Sequence, residues 1–417
     1  MKPIAVAKQR IDIVDMLRGF SLLGIILAHF CNQYYAGAEP PGHEHFNVQN
    51  GLDQGLQLFH DIFIFGKFYT IFSFLFGLSF AIQLLNAKEK GQSFIGRFAW
   101  RLILLFAIGF LHQLFYRGDI LTIYAVLGFI LLLFHKAGNK VLLIVSFFFL
   151  FNGPGIILRT IEFVRISNQP AQTQTLQPAA IDTTQSRLQD EATVYYNLVK
   201  QGDFKHIARL NISKEFQVKL EFQVFSGRLF VTLGLFLLGL YMGRNKVFEN
   251  LAQYRKKIKK WFWISVAVSI FALVIYGVFG ESLFRSFNIY SLLASALIDI
   301  HYVSFSMVYA GGFLLLAQRA RAGNFLAGLA PLGRMGLTTY LVQTIFGLLL
   351  FYGYGFNQLG EIGNSISFAA GIIFFICQVY ISKWWMKNYH YGPFEWIWRS
   401  LTYFQVQPWR KKINSPG

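Results

Sequence analysis

Apolar residues run for close to membrane-spanning length ten times along this chain, at about 18–35, 62–85, 98–116, 120–135, 141–161, 228–243, 261–279, 290–318, 335–352 and 364–386. Each run approaches the ~20 residues that a helix needs to cross a bilayer. The pattern predicts an all-α polytopic membrane protein with about ten transmembrane helices, of which 120–135 and 228–243 are the shortest. The first run is too long for a signal-peptide core and lacks a small-residue cleavage site, so it reads as an uncleaved first helix. One segment breaks the pattern. From Glu162 to Gly227 the chain turns polar and rich in Gln, Thr and Asn, with short amphipathic stretches near 186–201 and 204–222. The expected organisation is a five-helix half over 1–161, a polar insert over 162–227, a second five-helix half over 228–386 and an amphipathic tail over 387–417. No internal repeat accompanies it, so self-similarity lends no support to an inverted-repeat transporter.

Composition agrees with this class. With 54% hydrophobic residues, 46 phenylalanines and 14% charged residues, the chain has more apolar surface than a soluble core could hide. The net charge of +18 would suit nucleic acid in a soluble protein, but here its distribution marks one side of a membrane. Lys2, Lys8 and Arg10 precede the first run; Lys88, Lys90 and Arg97 follow the second; Arg244 to Lys260 crowd the turn after the sixth; Arg319, Arg321 and Arg334 lie between the eighth and ninth; and Lys383 to Lys412 follow the tenth. The 36–59 and 353–363 loops carry no Lys or Arg. By the positive-inside rule those loops are extracytoplasmic and both termini cytoplasmic; the insert, in which acids and bases balance, keeps its outside placement because long loops translocate largely regardless of charge. The expected partners are membrane lipids, with anionic headgroups facing the basic loops, and no nucleic acid. Oligomeric state leaves no mark in the sequence. Cys31 and Cys377 fall at different depths, which argues against a disulfide. His43-Glu44-His45 lacks further ligand spacing and reads as a solvated loop, so no metal is expected.

Ionisable residues inside apolar runs are costly and are functional candidates by default. Arg18 and His29 are eleven steps apart on the first helix, which places them roughly 16 Å apart along the axis and within about 20° of one face. His60 begins the second helix, with Lys67 about two turns further in. His112 nears the outer end of the third, and Arg117 and Asp119 begin the fourth. Asp299 and His301 form another group on the eighth. Each has a plainer reading beside the functional one: Arg18 as a snorkelling anchor, the histidines as hydrogen-bonded structural groups, Arg117 and Asp119 as an ion pair or helix cap. The Trp- and Tyr-rich block 384–409 reads as an interfacial aromatic belt with an amphipathic helix, on which Glu395 and Arg399 fit an i,i+4 pair.

Several of these residues sit in motifs that carry a resemblance. Arg10-Ile-x-x-x-Asp15-x-x-Arg18-Gly19-Phe-x-Leu-Leu-Gly24-Ile, Gly66-Lys67-Phe68-x-x-x-Phe72-Ser73-x-Leu-Phe76-Gly77 and Arg117-Gly118-Asp119-Ile-Leu-x-x-Tyr124-Ala125 resemble the YeiB-like bacterial membrane proteins, a family known as domain of unknown function 418. Gly333-Arg334-Met335-Gly336-Leu337-Thr338-Thr339-Tyr340-Leu341-x-Gln343 and Tyr391-Gly392-Pro393-Phe394-Glu395-Trp396-Ile397-Trp398-Arg399-x-Leu401-Thr402-Tyr403 are similar to the same family's C-terminal block. Such proteins in turn resemble transmembrane acyltransferases, including sugar and peptidoglycan O-acetylators. The O-acetylators carry Arg, ten residues, then His on the first helix, as at Arg18 and His29; most YeiB-like sequences have Asn at the His position.

The resemblance implies a bacterial cytoplasmic (inner) membrane enzyme that moves an acyl group from cytoplasmic acyl-CoA to an extracytoplasmic sugar, glycan or lipid headgroup. On that reading Arg18, Lys67, Arg117 and Arg334 bind donor or substrate, and His29, His60, His112 and Asp119 supply acid–base or nucleophilic chemistry. Two other classes stay open: a transporter coupled to protons or ions through Lys67, Asp119 and Asp299, and a non-catalytic membrane protein. No P-loop or dinucleotide fingerprint points to a primary pump.

Overall fold

The computed structural model describes residues 12–43, 45–167, 189–284 and 289–411. Apart from one antiparallel bridge between Tyr389 and Arg410, regular backbone among them is helical. Six stretches are long and apolar enough to cross a membrane. They are α1 (Asp12–Cys31), the run Gly51–Glu89 built from α2 (Gly51–Phe59), a π turn over His60–Ile64 and α3 (Phe68–Glu89), then α4 (Ile95–Phe115), α12 (Leu251–Phe284), α13 (Ile289–Ala317) and α17 (Asn364–Asn388). Two bent pairs raise the number to eight if each crosses as one. In the first, α6 (Asn139–Leu150) and α7 (Gly153–Ser167) meet at 49°. The break falls where Asn152 takes a left-handed conformation and Pro154 lacks the N–H that would continue α6. In the second, α10 (Lys214–Phe225) and α11 (Arg228–Arg244) meet at 67° across Gly227, whose φ of +78° suits glycine.

The ten full-length spans expected from the apolar runs therefore reduce to six to eight. The two runs that fall short are α5 (Leu121–Leu133), with 13 residues, and α16 (Gly336–Phe351), with 16. At 1.5 Å per residue they reach roughly 20 Å and 24 Å, against a hydrocarbon core of ~30 Å. Large apolar side chains such as Ile144, Phe271, Val278 and Ile373 face outward, as in a multi-pass membrane protein whose surround is lipid.

Between helices, small residues permit close approach, as is usual where lipid supplies no hydrophobic drive for association. A Cβ on Gly77 of α3 would lie 2.0 Å from the carbonyl oxygen of Phe236 on α11. One on Gly333, in the short helix α15 (Ala330–Arg334) that follows α14 (Ala320–Ala327), would lie 1.8 Å from that of Asp15 on α1. These contacts seat α1, α3, α11 and α15 around one core that includes Leu17, Phe30, Phe80, Phe236 and Phe351.

The later part of the polar insert folds as helices laid on the bundle. A helix over 189–201 (α8) is followed by α9 (Phe204–Ile212), capped by Asp203, and by α10. Tyr195, Val199 and Ile207 are buried in the main core, and α9 lies against α4. After α16 and α17, α18 (Pro393–Tyr403) docks on α4 and α16. Glu395 does not pair with Arg399. Its carboxylate accepts from the N–H groups of Leu337 and Thr338 (2.7 and 3.0 Å) and from the Thr338 hydroxyl (2.6 Å), so it serves the open N-terminus of α16, where donors would otherwise be unsatisfied.

Candidate functional site

A cavity of about 1290 Å³ runs through the bundle beside α1. At one end it is lined by residues at the C-terminal end of α3 and the start of α4, Lys90, Gln92, Arg97 and Arg101, together with Trp398, Arg399 and Tyr403 of α18. It passes Arg18, Ser79, Gly333 and Arg334, and at the other end meets His29, Tyr69, Gly118, Gln223 and Arg228. The face of α1 predicted from the eleven-residue spacing thus looks into one space at both ends.

Arg18 is fixed before any ligand arrives. Its guanidinium bonds the Asp15 carboxylate (2.8 Å), the Gly333 carbonyl (3.2 Å) and the Ser79 hydroxyl (2.9 Å). Arg334 shares that carboxylate at 3.5 Å and pairs with Asp12 at 2.5 Å. Asp15 is buried, and a buried carboxylate needs such partners.

At the far end of α1, His29 Nδ1 lies 3.0 Å from the Tyr116 hydroxyl, and its ring stacks on Tyr34 at 5.1 Å between centroids. With Nδ1–H donating to Tyr116, the Nε2 lone pair is left for a proton. His29 lines the cavity and is part exposed to it. Tyr116 also contacts His112, at 5.9 Å between ring centroids. His112 and Asp119 are brought together: Nδ1 lies 2.8 Å from Oδ1, and Asp119 also accepts from Leu121 and Thr122 N–H at the start of α5. Asp119 is therefore both helix cap and imidazole partner. Lys219, inside the former insert, bonds the Thr122 hydroxyl, the Gln113 side chain and the Asp119 carbonyl. This His–Asp pair is buried next to the cavity and does not line it.

The other sequence candidates lie apart. Arg117 pairs with Glu215 at 3.2 Å rather than with Asp119, and stacks on Tyr195 and Tyr35 at 3.7 and 4.6 Å. There it pins α8 and α10 to the bundle, off the cavity wall. His60 bonds Asp61 at 2.9 Å, and Lys67 donates to the Asp61 carbonyl (2.7 Å) and sits 4.8 Å from the centre of the Tyr302 ring. Neither borders the cavity. Asp299 accepts from Asn152 at 2.7 Å. His43 stacks on Tyr196, and Glu44 lies outside the described residues.

Three further arginines belong to the site: Arg97, which the sequence offers as a topology marker, Arg399, which it offers as the i,i+4 partner of Glu395, and Arg101, which it does not single out. Arg97 stacks on Tyr403 (5.2 Å), Arg101 on Trp398 (4.3 Å) and Arg399 on Tyr391 and Tyr403 (5.0 and 5.2 Å). None forms an ion pair among the described residues. Aromatic faces hold a guanidinium in place while leaving its charge unneutralised. The legible signal was Arg97 and Arg101 at i,i+4 on one face; the contribution of Arg399 needed the docking of α18.

Comparison with known proteins places this geometry in a family. Residues 242–405 match the model described as Protein of unknown function (DUF418). The chain is 30% identical to Uncharacterized protein YxaH of Bacillus subtilis (strain 168), covering 97% of both chains. It is 29% identical to the uncharacterized 39.9 kDa protein in the amylase 3' region of Bacillus acidopullulyticus, covering 98% of both. To YeiB of Escherichia coli (strain K12) it is 23% identical, covering 93% of this chain and 95% of YeiB. No solved structure matches the chain.

Proposed function

The chain belongs to the DUF418 family of YeiB-like membrane proteins, and on that footing we propose that it is a membrane acyltransferase drawing on cytoplasmic acyl-CoA and acylating a hydroxyl on the other side. What supports the reading is one observation: Arg18 and His29 open into the same cavity, at its arginine-rich stretch and near its far end.

The arginine-rich end suits the phosphates of the donor. Arg97, Arg101 and Arg399 offer charge without carboxylate partners among the described residues, and planar guanidinium groups match phosphate oxygens by bidentate hydrogen bonds. The basic loops put that end in the cytoplasm by the positive-inside rule, with both termini there and the chain in a bacterial cytoplasmic membrane. In this topology α5 and α16 complete ten traverses, with flanking residues making up their short lengths. The acyl arm runs past Arg18 towards His29. Nε2 of His29 takes the proton of the acceptor hydroxyl as its oxygen bonds the thioester carbonyl carbon. The C–S bond then breaks and the proton passes to the departing thiolate, giving an ester and free CoA. Tyr116 holds the imidazole, and the His112–Asp119 pair holds Tyr116 and the start of α5 in place. The proton-coupled transport alternative has less behind it, because Lys67 and Asp299 lie off the cavity.

The test is calorimetric titration of acetyl-CoA and longer acyl-CoA into detergent-purified protein, wild type against Arg18→Ala and His29→Ala. The expected result is binding weakened by Arg18→Ala and kept by His29→Ala, with thioester cleavage lost in the latter. A folded wild type that binds no acyl-CoA at millimolar concentration would sink the proposal.

A further inference from the structure

At the end of the cavity away from the arginine cluster, Arg228 is a cation with no anion of its own. It opens α11 just after the Gly227 turn, and its guanidinium rests against Phe65, Tyr69 and Phe222 at 5.0, 5.4 and 5.0 Å from the ring centres. It makes no ion pair and no side-chain hydrogen bond among the described residues. The Asp299 carboxylate on α13 acts on it electrostatically but forms no ion pair with it among the described residues, and is bonded by Asn152. Two other polar groups line the same end. Gln223 is only 7% exposed, it borders the cavity, and its amide has no hydrogen-bond partner among the described residues. The Tyr69 hydroxyl is likewise unpartnered there and borders the same space.

The Gln223 amide is not among the sealed-off polar atoms of the core, so it opens to the cavity and is available to whatever enters it, and a guanidinium fenced by aromatic faces keeps its charge for something else. One ligand engages all three groups: an oxyanion, which accepts from the Arg228 fork, the Gln223 amide and the Tyr69 hydroxyl. A neutral sugar hydroxyl would leave the Arg228 charge uncompensated. The chain puts this cluster in the same space as His29, so an anionic group seated here would hold a hydroxyl on the same molecule near the Nε2 atom.

We propose that Arg228, Gln223 and Tyr69 form an anion-binding subsite that selects an acceptor carrying a phosphate or carboxylate beside its reacting hydroxyl. The word acceptor rests on the acyl-transfer reading; the subsite itself rests on the cavity lining. The chemistry fits either an anionic lipid headgroup or a small soluble sugar or polyol phosphate.

The experiment uses the full-length protein in detergent in two arms: titration with sn-glycerol 3-phosphate against uncharged glycerol, and native mass spectrometry with phosphatidylglycerol against phosphatidylcholine. Wild type is compared with Arg228→Gln, Arg228→Lys and Gln223→Leu. The expected result is binding of the anionic member in at least one arm, weakened tenfold or more by Arg228→Gln, less by Arg228→Lys and several-fold by Gln223→Leu. The arm that responds identifies the source. If Arg228→Gln does not fold, the Arg228→Lys and Gln223→Leu pair decides. Equal binding by wild type and variants, as for phosphate held at the arginine-rich end, would overturn the subsite, and so would no anion binding in either arm. Acetyl-CoA binding by the wild type is read in parallel: its absence, with Arg228-dependent anion binding intact, refutes the donor reading and leaves the subsite standing.

Discussion

Arg18 and His29, eleven residues apart on α1, border one cavity of about 1290 Å³, and each is already held by other elements: Arg18 by Asp15, Ser79 and Gly333, His29 by Tyr116 and Tyr34. Such preorganisation removes the need to order long side chains when a ligand enters. It also separates binding from chemistry along one helix, so the two can be lost independently.

His29→Asn keeps a polar side chain on this face of α1 and removes the proton acceptor. Acyl-CoA affinity should stay within about twofold of wild type, while acyl transfer falls by ~100-fold or more, the usual span of a positioned general base. Thiol release from acetyl-CoA, followed colorimetrically with each added acceptor, reads both quantities. Equal rates in the two proteins would remove His29 from the chemistry.

The guanidinium groups of Arg97 and Arg399 should act on donor affinity alone. Each change to Gln is expected to weaken acyl-CoA about tenfold, the worth of one charge-assisted hydrogen bond, with the loss shrinking at high salt. If acetyl-pantetheine, which carries the thioester but none of the nucleotide phosphates, responds to the substitutions as much as acetyl-CoA does, the phosphate assignment is wrong.

Asp119→Ala strips α5 of its cap, His112 of its partner and Lys219 of a neighbouring charge at 3.9 Å. Breaking a buried charged network of this kind costs about 3–5 kcal/mol, so the thermal midpoint in detergent should fall by several degrees even where acyl-CoA binding survives. An unchanged midpoint would mean that the network contributes nothing to stability.

Close packing at Gly77 is testable by addition. Gly77→Val should abolish recovery of folded protein, because its Cβ would sit 2.0 Å from the Phe236 carbonyl oxygen, whereas Gly96→Ala, with nothing within 4 Å of the added atom, should behave as wild type. Recovery of monodisperse protein by gel filtration scores the pair.

Burial raises the pKa of Glu395 above its ordinary value of 4.5, against the opposing hydrogen bonds from Thr338 and Leu337. A raised folded-state pKa means that the folded protein holds this proton more tightly than the unfolded chain. Stability from this group therefore falls as pH rises from 4.5 through the folded value, and grows as pH is lowered through the same window. The melting temperature of wild type minus that of Glu395→Gln should thus increase on acidification from neutrality towards pH 4.5. A difference that stays flat or runs the other way refutes the assignment.

Much of this architecture was legible because apolar length and charge asymmetry are local properties. The runs around α1, α3, α4, α12, α13 and α17 appear where hydropathy puts them, and the Arg18–His29 face follows from helical period alone. The Asp119 cap was equally readable, since a carboxylate just before an apolar run meets open N–H groups. The Glu395–Arg399 pair failed for the opposite reason: i,i+4 spacing says which residues can meet, and the N-terminus of α16, 58 residues away in sequence, offered Glu395 more donors than Arg399 did.

By itself, then, the sequence determined an all-helical membrane protein, the basic bias of its loops and the one face of α1 that carries both an arginine and a histidine. Only the tertiary structure decided which charges share a space. It set Arg97, Arg101 and Arg399 around one mouth, left Arg228 and Gln223 without ion pair or side-chain hydrogen bond among the described residues at the other end, and drew Arg117, His60 and Lys67 away into structural contacts. The physical reason is that burial of a helix follows from its own composition, whereas the fate of a buried charge depends on which distant carboxylate, carbonyl or ring the packing brings within reach.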